Sequence, residues 1–234
     1  MTAQPVDESH DESAFDAEAE FDRQLATLLQ LGYPTLAHMS VQSFTDLVAP
    51  LQTQVVTRRA NWQAPTSTAV PFVLVVSRRL VTPEQGMAAT SLNGKPGFVS
   101  ADTADVHRFE PIESVRLPED DVYVALDVER GDEYLNWSPD EALPAITGRD
   151  RTPLTVDEGI ALFTHFSATL EKNRCFMVAA SRCGDRRVPA LWISGGTGKD
   201  GAARRGAPKV GWCWAGNRHT WLGHASCGGR LAAA

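Results

Sequence analysis

The chain has 234 residues, 43% of them apolar, and a net charge of −7. That length and composition fit a packed globular fold, and no apolar run approaches the roughly 20 residues that a membrane helix needs. Met1 to Asp22 carries eight acidic residues and no Lys or Arg, the opposite of a basic, apolar secretory signal, so the expectation is a cytoplasmic protein with no membrane partner.

Residues 1–12 read as a disordered acidic leader and residues 13–234 as a single α+β domain. Within it, 13–170 is an acidic, helix-rich part. The first helix spans Ser13 to Leu31, with Phe21, Leu25, Leu28 and Leu29 on one stripe. Gly32 and Pro34 end it. Ser40 is the N-cap of a second helix, which the pattern stops near Pro50. Residues 57–69 read as a loop. The run Val70–Ser77 is rich in β-branched residues and reads as a buried strand, as does Asp121–Val128.

Three segments have the form of a capping box, in which Ser or Thr is followed three residues later by Glu or Gln. They begin at Thr82, Ser138 and Thr155. The last opens a helix that the apolar stripe carries to about Leu170. Asp140-Glu141 and Asp157-Glu158 then fall at helix N-termini, where carboxylates complement the dipole and need no catalytic role. His165 falls mid-helix and reads as a partly buried, satisfied histidine.

Residues 171–234 differ in character. Eleven Lys and Arg face three acids there, a local charge of +8 against −15 for the preceding residues. The same section holds all four cysteines and four of the six tryptophans. Cys175–Ala180, Val188–Ser194 and Val210–Trp214 read as strands of a C-terminal β-meander, with Gly184-Asp185 as a hairpin turn. The fold is therefore α+β, with N-terminal helices and a mixed or antiparallel sheet ending in that meander. Residues 195–207 form a Gly-rich basic loop. Gly198-Lys199 is followed by Asp200, so the loop is not a phosphate-binding Walker motif.

Three chemistries are open to this section. Arginine pairs with phosphate and indole faces stack on rings, which points to an anion site built from Arg182, Arg186, Arg187, Trp212, Trp214, Arg218, His219 and Trp221. The ligand would be an anionic small molecule or an acidic protein partner; an acidic chain argues against nucleic acid, whose binding rests on phosphate neutralisation. In the second reading Cys183, flanked by Arg182, Arg186 and Arg187, is a nucleophile, with His219 or His224 as base and Asp185 to orient it. In the third, Cys183, Cys213, His224 and Cys227 hold a metal, although no closely spaced cysteine pair occurs. No motif calls for an organic cofactor. The bland alternative buries the tryptophans, leaves the cysteines as small hydrophobes and pairs the arginines with the acidic half.

The stretches Pro153–Gly159, Ser181–Ile193, Gly211–Asn217 and His219–Gly223 resemble an uncharacterised actinobacterial family, domain of unknown function 5701. The resemblance covers most of the chain after the leader and implies a bacterial, cytosolic setting. It carries over no catalytic residue.

Overall fold

The three capping boxes form as the spacing dictates. Thr82, Ser138 and Thr155 each accept the backbone N–H three residues on, and Gln85, Glu141 and Glu158 each reach back to the cap N–H. A computed structural model gives the chain's structure over residues 15–58 and 62–233; the expected acidic leader lies outside the described residues. In chain order the elements are α1 (Ala17–Gln30), α2 (Tyr33–Leu36), α3 (Val41–Thr57), β1 (Ala69–Val76), α4 (Pro83–Ala89), β2 (Ser91–Leu92), β3 (Lys95–Pro96), β4 (Phe98–Val99), β5 (Glu110–Pro111) and β6 (Val122–Glu129). They continue with α5 (Pro139–Thr147), β7 (Thr152–Pro153), α6 (Val156–His165), β8 (Cys175–Met177), β9 (Ser181–Arg182), β10 (Arg187–Ile193), β11 (Pro208–Trp214), β12 (Leu222–His224) and β13 (Ser226–Leu231).

Two larger sheets organise the fold. One has the order β1-β6-β13-β7 and is antiparallel throughout. The other has the order β12-β8-β10-β11-β4. Its centre, β8-β10-β11, is the expected antiparallel meander, and β12 and β4 join its edges in parallel. The α+β expectation is met. Helix α6 lies between the sheets: Ile160, Leu162 and Phe163 share one core with Val73 and Tyr123 of the first sheet and Phe176 and Leu191 of the second. Helices α1–α3 cover the other face of the first sheet, where Phe21, Phe44, Val48 and Leu51 meet Phe72, Leu74 and Val124. Both faces of β1 are thus buried, which is why its sequence is an unbroken apolar run.

As an outer strand, β1 presents unpaired backbone groups. The fully buried Gln24 side chain answers this by donating to the Phe72 carbonyl (3.0 Å) and accepting from the Leu74 N–H (2.7 Å). His165 adds a hydrogen bond from its Nε2 to the Leu74 carbonyl (2.9 Å). This histidine is buried rather than partly buried, and its Nδ1 has no partner among the described residues.

Two helix ends differ from expectation. Helix α3 does not stop near Pro50 but runs through it to Thr57. Proline removes one backbone bond, yet Leu51 and Val55 beyond it are fully buried against the first sheet, and that burial carries the helix on. Helix α6 ends at His165 rather than Leu170, because Phe166 leaves helical geometry (φ −135°) and a 3-10 turn follows over Ser167–Thr169.

Candidate functional site

The expected cation-rich face is divided among three places. At the first, Arg187 enters β10 and its guanidinium donates to both Asp105 oxygens (2.9 and 2.7 Å) and to Asp185 (2.8 Å). It lies over the rings of Phe109 and Trp212. The Trp212 Nε1–H donates to the Asp102 carbonyl (2.8 Å), and the exposed Trp214 ring packs edge-on against Trp212 at 4.6 Å. The Cys183 thiol belongs to this cluster: it donates to Asp185 Oδ1 (3.2 Å) and lies 3.2 Å from Arg187 Nη2. Burial first, and then the hydrogen bond to Asp185, push this thiol above its ordinary pKa and outweigh Arg187. A nucleophilic cysteine needs the opposite shift.

The second place is the start of α5. Arg186 pairs with Asp140 (3.0 Å), and Arg218 pairs with Glu141. Arg218, with the Ser138 cap, draws the Glu141 carboxyl down to about 2. Arg182 has no carboxylate within 4 Å among the described residues; its guanidinium donates to the carbonyls of Ala179 and Ser181. His224 is fully buried, with Nε2 3.1 Å from the Trp137 carbonyl, and burial lowers its pKa to about 4. His219 packs edge-on to Trp221 at 5.4 Å, 64° between planes, and is not among the hydrogen-bond partners of the Cys183 thiol, which are Asp185 and Arg187.

The four thiol and imidazole metal candidates do not converge. Cys227 lies on β13 of the first sheet with its Sγ against Thr152. Cys213 and His224 lie on β11 and β12 at different positions across the second sheet, and Cys183 contacts Asp185 and Arg187. Among the described residues no three His, Cys, Asp or Glu side chains are placed to hold an ion.

The third place is a cleft of about 480 Å³ at the end of the second sheet where β8 begins and β10 ends. It is lined by Trp192, Ile193 and Trp221 as apolar wall, Ser194, Asn173 and Cys175, and Lys172 and Arg205 at the rim. None of its lining residues is acidic. The two half-buried indoles meet edge-to-face, 6.2 Å apart and 68° between planes. Trp192 lies down on the sheet over Gly211, where an added Cβ would come within 2.2 Å of its ring.

Lys172 comes from the turn before β8, and Asn173 beside it takes φ +63°. Arg205 comes from the Gly-rich loop, which is pinned rather than loose. Asp200 accepts from Ser100 (2.9 Å) and pairs with Lys209, Lys199 pairs with Asp102 (2.6 Å), and Lys95 donates to the Arg205 carbonyl. Gly196 completes the loop with φ +69°; a Cβ there would meet the Arg205 Cβ at 2.6 Å, so only glycine lets the two segments close.

The distribution of ion pairs picks out this cleft. In residues 171–233, Arg174, Arg186, Arg187, Lys199, Lys209, Arg218 and Arg230 each have a carboxylate within 4 Å. Lys172, Arg182, Arg204 and Arg205 do not; Arg182 is held instead by the Ala179 and Ser181 carbonyls, and the other three lie at the cleft or its loop. Of the residues chosen from the sequence, Trp221 alone lines it. Trp192 and Lys172 were the missed members, while Arg205 stood in the Gly-rich basic loop that the sequence set apart after a strand ending in Trp-Ile; the pairing of the other arginines with Asp105, Asp140 and Glu141 crosses up to 82 positions and has no local signature.

No helix of the described residues is long and apolar enough to cross a membrane. Residues 27–233 match the family of unknown function DUF5701, and the chain belongs to that family. Neither a curated protein nor a solved structure matches it.

Proposed function

Membership of a family of unknown function assigns no activity, and we propose from the geometry that the chain binds a small anionic molecule in the cleft between Trp192, Trp221, Lys172 and Arg205. The observation that supports this most is the pair of rim cations with no carboxylate within 4 Å among the described residues, above an apolar floor, in a section whose other cations are mostly paired. A concave, largely apolar site with a few polar groups at its edge is the usual form of a small-molecule site, and about 480 Å³ is within the common range of roughly 300–1,000 Å³. The Arg187 cluster serves as scaffold in this reading, since its guanidinium is already shared between two carboxylates.

The setting we propose is cytoplasmic, in an actinobacterium. All four cysteines are free, as thiols are in a reducing compartment.

The test is a thermal-shift titration of the full chain with inorganic phosphate, AMP and citrate, against a Lys172→Ala/Arg205→Ala variant. Both residues are exposed, so the variant should keep the parent's melting temperature without ligand. A ligand at 100 times its Kd stabilises by about 2.7 kcal/mol, which for a chain of this size is about 5–10 °C. The reading expects that shift with at least one anion and its loss in the variant. An equal shift in the variant would remove the cleft from consideration. Stabilisation by an acidic peptide and by none of the three anions would replace the small ligand with a protein partner.

A further inference from the structure

Resting on the anion-cleft reading, we infer that the ligand class is an aromatic phosphate monoester, of which a nucleoside monophosphate is the natural size. Three features of the cleft narrow the choice. First, two indoles make most of its apolar wall, with Ile193 as the one aliphatic side chain beside them. An indole face stacks on any planar ring without demanding a particular pattern of donors. Aliphatic anions gain nothing specific from such a wall.

Second, the rim charge is counted. Lys172 and Arg205 supply two cations that no described carboxylate neutralises within 4 Å. A simple carboxylate brings one negative charge and leaves one cation unanswered. A phosphate monoester carries about −1.5 to −2 at neutral pH and offers three acceptor oxygens. Arg205 can grip two of them in a fork while Lys172 acts as a point charge. Polyphosphates carry more charge and are commonly held with a magnesium ion through protein carboxylates, and the cleft lining contains no carboxylate.

Third, the remaining polar groups suit the edge of a ring. Asn173 stands at the rim with its left-handed backbone, and its carboxamide has no hydrogen-bond partner among the described residues. A carboxamide offers both donors and an acceptor, the complement of a heterocycle's edge. The Ser194 hydroxyl, by contrast, is engaged with the Gly196 N–H (3.1 Å) and holds the loop.

The experiment follows intrinsic tryptophan fluorescence of the full chain, with calorimetry in parallel, on titration with AMP, adenosine, inorganic phosphate, glycerol phosphate, phenyl phosphate and ATP with magnesium. AMP should quench emission and bind at least tenfold more tightly than adenosine, which lacks the anion, and than inorganic phosphate or glycerol phosphate, which lack the ring. Phenyl phosphate falling between AMP and inorganic phosphate would confirm that the ring and the base edge both contribute. If glycerol phosphate matches AMP, the aromatic class is overturned while the anion reading stands. If adenosine matches AMP, the anion reading itself falls. ATP binding tenfold tighter than AMP overturns the monoester. The Arg205→Ala variant, exposed and on a loop, separates the cases: it should weaken AMP at least tenfold and leave adenosine unchanged.

Discussion

The most exacting consequence of the structure concerns Gly211, which is not in the cleft but under it. A Cβ built there lies 2.2, 2.8 and 3.0 Å from Cη2, Cζ3 and Cζ2 of Trp192, against about 3.5–4.0 Å for a comfortable carbon contact. The backbone at Gly211 does not have positive φ, so alanine is opposed only by the indole. Gly211→Ala must therefore lift the ring by about 1.5 Å, since the shortest contact falls that far below the comfortable separation. Overpacking of this kind costs about 1–3 kcal/mol, offset by about 0.5–1 kcal/mol for replacing glycine in a strand. At the middle of these ranges the net loss is about 1.25 kcal/mol, which corresponds to a fall in melting temperature of about 2.5–5 °C. In a Trp192→Phe background the offending outer ring is absent and the same substitution should be neutral or slightly stabilising; a double-mutant cycle isolates the contact. Thermal denaturation of the four proteins, with tryptophan emission recorded, gives both terms. A Gly211→Ala protein as stable as its parent, with unchanged emission, would refute the placement of Trp192.

Other outcomes follow from the buried polar groups and thiols of the fold. Gln24→Leu strands the Leu74 N–H and the Phe72 carbonyl in the core, costing about 1–3 kcal/mol for each; hydrogen exchange at Leu74 should accelerate, and an unchanged rate would contradict the edge seal. In the unfolded chain imidazole protonates near 6.5, whereas burial holds folded His165 to about 3 and His224 to about 4. The unfolded state therefore binds more protons between those values, so stability is complete above pH 6.5 and declines as pH falls, by up to about 1.4 kcal/mol per unit for each histidine. Melting temperature should drop from pH 6.5 to 4.5, and His165→Gln should flatten the slope; an equal slope in that variant would assign it elsewhere. The Cys183 thiol should react with iodoacetamide no faster at pH 7 than a free cysteine, because burial and Asp185 raise its pKa; an apparent pKa well below about 8.5 would revive it as a nucleophile.

Local chemistry was readable in the sequence where a few neighbouring residues decide the outcome. Thr82, Ser138 and Thr155 announce their helices because a cap and its partner are three positions apart. The meander strands were readable from β-branched and aromatic runs bounded by glycine. Strand β13 was not, since Ser226–Leu231 contains Gly228-Gly229 and gains its place only by pairing with β6. In β6, Asp127 takes φ +50° opposite that glycine pair, and Arg151 holds its carboxylate and carbonyl; such a kink has no signature in an apolar run. The candidate site was half legible for the same reason. Composition located an excess of cations and indoles in the last quarter of the chain. Which cations stay uncompensated depends on acids far away in sequence, as Asp105 is from Arg187 and Asp140 from Arg186.

The central claim is that Arg205 and Lys172 form an unsatisfied pair of charges over an indole floor. The most direct measurement is the affinity of AMP for the parent chain and for Arg205→Glu, at low and at physiological salt. The account predicts at least tenfold weaker binding after charge reversal and a parent affinity that falls as salt rises. Equal affinity of the two proteins at both salt concentrations would contradict it.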